Sequence, residues 1–120
     1  MAPEENPSLN LSFLKEFCRD DKRKMTQYIH TFLEEVPVQI EAIKKNAVEK
    51  NWLQVRMMAH SLQPQAAFIG LTKMKSILDQ IEIETPLENA RTTLPALIAE
   101  LEIAMENGLN ALVQTLVTLA

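Results

Sequence analysis

Apolar residues recur every three or four positions over most of this 120-residue chain, and that spacing limits the folds open to it. The longest example runs from about residue 22 to residue 46 and consists of Met25, Ile29, Phe32, Leu33, Val36, Ile40 and Ile43. Because an α-helix has about 3.6 residues per turn, this spacing predicts one long amphipathic helix. Asp20 and Asp21 are N-cap candidates in front of it. Pro37 predicts a kink, because it cannot donate a hydrogen bond to the Leu33 carbonyl.

Two further helices are predicted on either side of that segment. The apolar residues of a short first helix are Leu9, Leu11, Phe13, Leu14 and Phe17. A third helix is predicted from Trp52 to about Ile69, with Asn51 as its N-cap. Gly70 is expected to end this helix, because glycine readily takes the left-handed conformation common at helix C-termini. Leu71 is then expected to fold back toward the core.

Downstream of Leu71 the sequence predicts two more helices. Thr72 would cap a fourth helix that ends near Glu84, and residues 86 to 92 would form a polar connection. Thr93 and Pro95 indicate the start of the last helix, since proline is tolerated in a first turn. The apolar stripe of this helix consists of Leu94, Ile98, Leu101, Met105, Leu109, Leu112, Leu116 and Leu119.

Long amphipathic helices with short connections predict an all-α fold, an antiparallel four-helix bundle with a short extra N-terminal helix. Residues 9–120 are expected to form this one domain. Residues 1–8, which include Pro3 and Pro7, are expected to form a flexible N-terminal tail. The composition agrees with a folded helical domain, because hydrophobic residues make up 47% of the chain and glycine occurs only twice.

Charge and composition argue against several kinds of partner. The net charge of −4 argues against nucleic acid, whose binding needs clustered Lys and Arg. Cys18 is the only cysteine, so the chain can form no internal disulfide and fits a reducing compartment. No apolar run approaches the roughly 18 residues of a membrane span, and no signal pattern is present at the N-terminus. We therefore predict a cytoplasmic monomer that binds neither nucleic acid nor membrane.

No metal or cofactor site is predicted from the sequence. The chain has no glycine-rich phosphate loop and no cysteine pair. A di-iron site in a helical bundle would place Glu three residues before a histidine. Gln27 and Met57 hold those positions before His30 and His60. His30 follows Ile29 directly and is expected at the boundary of the core rather than at a second reactive site.

His60 is the candidate reactive residue. The apolar stripe of its helix consists of Val55, Ala59, Leu62 and Ala66. His60 lies roughly 130° around the helix from the centre of that stripe, so its imidazole is expected on the flank or in water. Gln63, Pro64 and Ala67 follow on the same side and are short or compact. A nucleophile on such a convex surface suits attack on a group that another protein brings, although a surface histidine without a role is the ordinary alternative.

Three motifs follow one another in a fixed register: Ala59-His60-Ser61-Leu62-Gln63-Pro64, then Gly70-Leu71, then Glu82. This register resembles the histidine-containing phosphotransfer (HPt) domains of bacterial two-component relays. Their signature reads Ala-His-x-Leu-Lys-Gly, with Gly-Leu ten residues after the histidine and Glu or Gln twenty-two residues after it. Phe32 and Pro37 also stand where the family has Phe and often Pro. The resemblance covers about residues 9 to 119.

The resemblance implies a phosphoryl acceptor and an acid that orients it. In that family the histidine accepts a phosphoryl group on Nε2 and passes it to a receiver aspartate. Glu82 on the fourth helix would accept the Nδ1–H of His60 and fix its tautomer, with Glu84 as the second choice. Gln63, in the position of the family lysine, would contact the phosphoryl group as a neutral donor.

Four other residues are predicted to take part in binding. Arg56, one turn before His60, would supply the positive charge that the family lysine supplies elsewhere. Met57 is expected mainly to pack, but it is also a candidate for the rim of a docking patch. Pro64 and Ala67 would complete that patch for an incoming receiver domain.

The sequence therefore predicts a phosphorelay intermediate that moves a phosphoryl group from one receiver aspartate to His60 and then to another. The expected partner is a response-regulator receiver domain, which would hold the Mg²⁺, and a hybrid sensor histidine kinase is a second candidate. No kinase activity of its own is expected.

The alternative is an HPt-like module that docks a receiver or kinase without phosphotransfer. Gln63 and Pro64 favour it, because they replace the family's Lys and Gly. A third possibility, an enzyme with His60 as general base, lacks a second catalytic group.

Overall fold

The structure is a computed structural model that describes residues 9–120, apart from the side chain of Ala90. In this range it contains five α-helices, one 3₁₀ helix and no strand. The elements are α1 (Ser12–Cys18), α2 (Lys22–Val48), α3 (Trp52–Ile69), α4 (Thr72–Glu84), the 3₁₀ helix (Glu88–Thr92) and α5 (Leu94–Leu119). The all-α prediction is confirmed, and the tail predicted for residues 1–8 lies outside the described residues.

Contacts between α2 and α3 show that these helices run in opposite directions. Gln39 Nε2 lies 3.5 Å from Gln65 Oε1, and Asn46 Nδ2 lies 3.6 Å from Met58 Sδ. The later residue of α2 therefore meets the earlier residue of α3, which is the pattern of an antiparallel pair.

α4 and α5 are also antiparallel, and their pairing closes the bundle. Glu84 at the end of α4 accepts a hydrogen bond from Thr93 just before α5, while Leu71 before α4 touches Gly108 within α5. α5 also packs against α2, where Lys44 Nζ lies 2.7 Å from Glu102 Oε2. Each of the four long helices thus has two neighbours, with α1 added against α2 and α3.

The core is built from the faces that the apolar spacing predicts, with one shift on α5. On α2 the predicted stripe is buried except for Leu33, which is half-buried. The predicted α5 residues Met105, Leu109, Leu116 and Leu119 are only half-buried, whereas Leu97, Ala104 and Gly108 are buried. At 100° per residue, the buried face of α5 is centred roughly 40° around the helix from the predicted stripe, because Leu97, Ala104 and Gly108 face the other helices.

The turn between α3 and α4 depends on Gly70, as predicted. Gly70 has φ +92°, and its N–H lies 3.0 Å from the Ala66 carbonyl. The Leu71 N–H also bonds to the Ala66 carbonyl, at 2.9 Å, and Leu71 is fully buried. Asn10 closes over this turn, because its N–H donates to the Gly70 carbonyl at 2.7 Å. Two residues are therefore enough to reverse the chain and to set α4 beside α3.

Asp21 caps α2 as predicted. Its carboxylate accepts the Arg23 N–H at 3.0 Å and the Lys24 N–H at 3.2 Å. α2 then continues without interruption through Pro37, which lies inside the helix. The kink predicted at Pro37 stays a prediction.

The caps predicted for α3 and α4 were wrong, although α3 begins where expected and α4 begins one residue earlier. Asn51 precedes α3 but makes no capping hydrogen bond; its amide donates instead to Asn46 Oδ1 and Glu49 Oε1, each at 3.2 Å. These bonds tie the start of α3 to the end of α2. Leu71, not Thr72, holds the N-cap position of α4, and Thr72 is the first helical residue.

Across residues 9–120, no helix is both long and apolar enough to cross a membrane.

Candidate functional site

The imidazole of His60 stands on the outer side of α3. The four residues of the predicted apolar stripe are buried and hold this helix in the bundle: Val55, Ala59, Leu62 and Ala66. His60 lies away from them, and its side chain is 71% exposed. The predicted exposure is therefore confirmed, and the ring is open to another protein.

Glu82 lies beside this imidazole because α4 runs back along α3. Glu82 Oε2 is 2.8 Å from His60 Nδ1, and the Glu82 side chain is 25% exposed. A carboxylate accepts only, so Nδ1 donates to it and carries the proton. In the neutral ring Nε2 then has a free lone pair. Glu84, the second choice for this role, instead accepts from the Thr93 hydroxyl at 3.3 Å.

Gln63 contacts the same carboxylate from the other side. Its Nε2 donates to Glu82 Oε1 at 2.5 Å and lies 3.4 Å from the Leu78 carbonyl oxygen. Gln63 is half-buried, and its amide lies between α3 and α4. The sequence prediction that Gln63 contacts a phosphoryl group therefore requires its amide to leave Glu82.

A shallow depression surrounds the imidazole. It is lined by Leu53, Arg56, Met57, His60, Ser61 and Glu82. Arg56 is exposed and forms no ion pair with any residue in the described range 9–120. Met57 is 54% exposed, so the expectation that it mainly packs was wrong: the buried stripe of α3 lies on the other side of the helix. A cation and two large apolar side chains thus border the ring.

Pro64 and Ala67 continue the exposed face of α3 beyond His60. Both are exposed, at four and seven residues after the histidine. Pro64 lies inside α3 and has no N–H to donate to the His60 carbonyl. Both side chains are compact, so this part of the exposed face carries no long side chain.

The sequence reading missed a cluster of aromatic rings on the surface near this face. The cluster consists of Phe13 and Phe17 on α1, Tyr28 on α2 and Phe68 on α3, and five of its ring pairs have centroids 5.0 to 6.2 Å apart. Phe13 and Phe17 are 54% and 56% exposed. Their four-residue spacing beside Leu14 and Cys18 was the available signal, since it gives α1 a second apolar face next to the one that Leu14 and Cys18 bury in the core.

Two other groups with possible chemistry lie away from His60. His30 is exposed, so its predicted place at the core boundary was wrong. Cys18 is buried at the end of α1, and burial raises the pKa of its thiol above the usual value. Among residues 9–120, no three His, Cys, Asp or Glu side chains are grouped so that they could hold a metal ion.

Comparison with known proteins gives one finding. The family model described as the Hpt domain matches residues 27–116. The matched segment contains all of α3 and α4 and most of α2 and α5, and so it includes every residue of the His60 depression. Searches of curated proteins and of solved structures found no significant match.

Proposed function

This chain belongs to the Hpt domain family of two-component phosphotransfer, and from that premise we propose that His60 carries a phosphoryl group between receiver-domain aspartates. The observation that supports this most is the pairing of an exposed imidazole with a carboxylate at 2.8 Å on Nδ1. With Nδ1 bonded to Glu82, the proposed nucleophile is Nε2 of the exposed ring. Cytoplasmic location and a monomeric state stay predictions.

The proposed step is an in-line displacement at phosphorus. The Nε2 lone pair of His60 forms the N–P bond while the P–O bond to the receiver aspartate breaks, and the aspartate leaves as a carboxylate. The imidazole gains positive charge, which Glu82 offsets through the hydrogen bond on Nδ1. The reverse step regenerates the neutral ring. Charge on the phosphoryl oxygens would be neutralised by Mg²⁺ in the receiver's own acidic pocket.

Arg56 is the proposed cation of this chain for the phosphoryl oxygens. It lies one turn before His60 and lines the same depression. Met57, Pro64 and Ala67 are proposed as contacts for the receiver surface, because they are exposed on the same side of α3 as His60. A hybrid sensor kinase would use the same face through its receiver domain.

A second candidate function is docking without phosphotransfer. The engagement of Gln63 with Glu82 favours it, because the position of the family lysine then offers no free donor to a phosphoryl group. Such a module would bind a receiver or kinase through the face around His60 and compete with active carriers.

One experiment separates the two candidates. The chain is mixed with a panel of receiver domains, each loaded with ³²P from acetyl phosphate in the presence of Mg²⁺. The proposed carrier acquires a label on this chain that acid removes and base does not. Binding to a phosphorylated receiver without any such label, across the panel, would favour docking alone.

Replacing Glu82 is expected to slow the transfer without abolishing it. In Glu82→Gln the amide oxygen can still accept the Nδ1–H, but the neutral group cannot offset the charge on the ring, and its NH₂ group would face the NH₂ donor of Gln63. Since charge-assisted hydrogen bonds are about twice as strong as neutral ones, we expect a roughly tenfold slower labelling rate. Glu100→Gln, an exposed change on α5, is the matched control. Equal rates in both variants would contradict the role given to Glu82.

Replacing Arg56 is expected to produce a loss that depends on salt. Arg56→Gln removes an exposed charge, so we expect a labelling rate lower by about threefold to tenfold at low salt. The deficit should shrink at high salt, because ions screen exposed charges. Arg56→Lys should keep most of the rate, and Arg23→Gln on α2 serves as the distant control. A deficit that salt leaves unchanged would argue against an electrostatic role.

A further inference from the structure

The amide of Gln63 has no hydrogen-bond donor left for a phosphoryl group. Its Nε2 carries two hydrogens, and two acceptors face it: Glu82 Oε1 at 2.5 Å and the Leu78 carbonyl oxygen at 3.4 Å. The side chain is half-buried between α3 and α4. A residue that met phosphoryl oxygens would instead have to turn its donors outward.

The chemistry of these neighbours fixes the direction of the amide. A carboxylate oxygen and a backbone carbonyl oxygen only accept hydrogen bonds. If the amide were turned over, its own oxygen would face both of them with no hydrogen between. The NH₂ group of Gln63 therefore points at Glu82 and Leu78, and its oxygen points away from them.

Gln63 and His60 hold the two oxygens of one carboxylate. Gln63 bonds to Oε1 of Glu82, and His60 bonds to Oε2 at 2.8 Å. A glutamate side chain on a helix has several rotamers, and a single bond to an exposed imidazole leaves many of them open. The second bond selects the rotamer in which Oε2 faces Nδ1.

The Leu78 carbonyl gives Gln63 a second, longer contact with α4, at 3.4 Å. Leu78 is fully buried on α4, one turn before Glu82. Its carbonyl belongs to the backbone of the same helix that carries the acid. Gln63 thus bridges the α4 backbone and the Glu82 carboxylate, so the position of the acid is set by two elements rather than by its own side chain.

We infer that Gln63 is a positioning residue, which holds the Glu82 carboxylate against His60 Nδ1 and so keeps the imidazole in the tautomer with a free Nε2. This inference rests on the proposed function of His60. It gives Gln63 no direct contact with the phosphoryl group, in contrast to the role expected from the family lysine.

The first test uses the unphosphorylated chain and needs no receiver. The protein is labelled with ¹⁵N-histidine and studied at a pH at which the ring is neutral. Two-bond ¹H–¹⁵N spectra then report which nitrogen of His60 carries the proton. We expect Nδ1 to be protonated in the native chain and a shift toward the Nε2-protonated form in Gln63→Met. Gln65→Met is the matched control, because the Gln65 amide bonds Gln39 and the Ser61 carbonyl instead. An unchanged tautomer in Gln63→Met would overturn the inference.

The second test is a double-mutant cycle on the transfer rate from a ³²P-labelled receiver. Gln63→Met should slow labelling roughly fivefold, as for the loss of one ordinary hydrogen bond. In a Glu82→Ala background the same change should alter the rate by less than about twofold, because its target is gone. Equal losses in both backgrounds would instead identify a direct phosphoryl contact and overturn the inference.

Folding and the proposed function are checked separately. Circular dichroism of each variant shows whether the helices are retained, and Gln63→Ala repeats both tests if Gln63→Met unfolds. A native chain that takes no label from any receiver would defeat the proposed function. The tautomer comparison would still decide whether Gln63 positions Glu82.

Discussion

The His60→Gln variant is expected to take no label from a phosphorylated receiver while it folds as the native chain does. Glutamine has no basic nitrogen lone pair, so the N–P bond cannot form at this position. The His60 side chain is 71% exposed, and substitutions at such positions usually change stability by no more than about 0.5 kcal/mol. The amide of the new side chain can also donate to Glu82. Complete loss of label with unchanged stability is therefore the expected pair of results.

Labelling and thermal melting of the same preparations check this expectation. His30→Gln is the matched control, since His30 is also exposed but lies on α2. We expect His30→Gln to take label at the native rate. Label that persists in His60→Gln, or disappears in His30→Gln, would show that the wrong histidine has been assigned.

The Gly70→Ala variant is expected to lose about 3 kcal/mol of unfolding free energy. Two effects add at this position. Gly70 has φ +92°, a conformation that alanine adopts only under strain. A Cβ at Gly70 would also lie 1.8 Å from the Asn10 carbonyl oxygen, so the backbone of the N-terminal segment would have to move. Since Gly70 sets α4 beside α3, we also expect the His60–Glu82 pair to loosen.

Gly108→Ala provides the matched control for this prediction, because it makes the same chemical change. Gly108 lies within α5, where alanine is favoured by about 1 kcal/mol. The new methyl group would approach a terminal methyl of Leu71, a side-chain end that can shift. We therefore expect a net change within about 1 kcal/mol in urea denaturation. A Gly70→Ala loss no larger than that of Gly108→Ala would contradict the account of the turn.

Helix limits were predictable where local signals agree. α3 spans Trp52–Ile69 as predicted, because Gly70 ends it through a conformation that glycine takes without strain. The start of α2 was predictable from the Asp21 cap in the same way. The absence of an Asn51 cap was not predictable, since the Asn51 amide donates to Asn46 Oδ1 across the loop instead. A cap depends on which partners the tertiary fold brings near.

The candidate site was predictable as a set of residues but not as a network. Helical geometry predicted His60 on the wet side of α3, and the resemblance to HPt domains implied that Glu82 on the next helix would contact it. The contact between Gln63 and Glu82 was not predictable, because it depends on the axial offset and the rotation of α4 relative to α3. Apolar periodicity predicts which face of each helix is buried. The axial register of α4 against α3 is instead set by packing around the Gly70 turn.

The most direct test of the central claim is to find which atom carries phosphorus. The ¹⁵N-histidine protein is phosphorylated by a receiver and Mg²⁺, and the ³¹P–¹⁵N coupling is then measured. The account predicts a single phosphoryl group on Nε2 of His60, with Nδ1 still protonated beside Glu82. A phosphoryl group on Nδ1 of His60, or on His30, would contradict it.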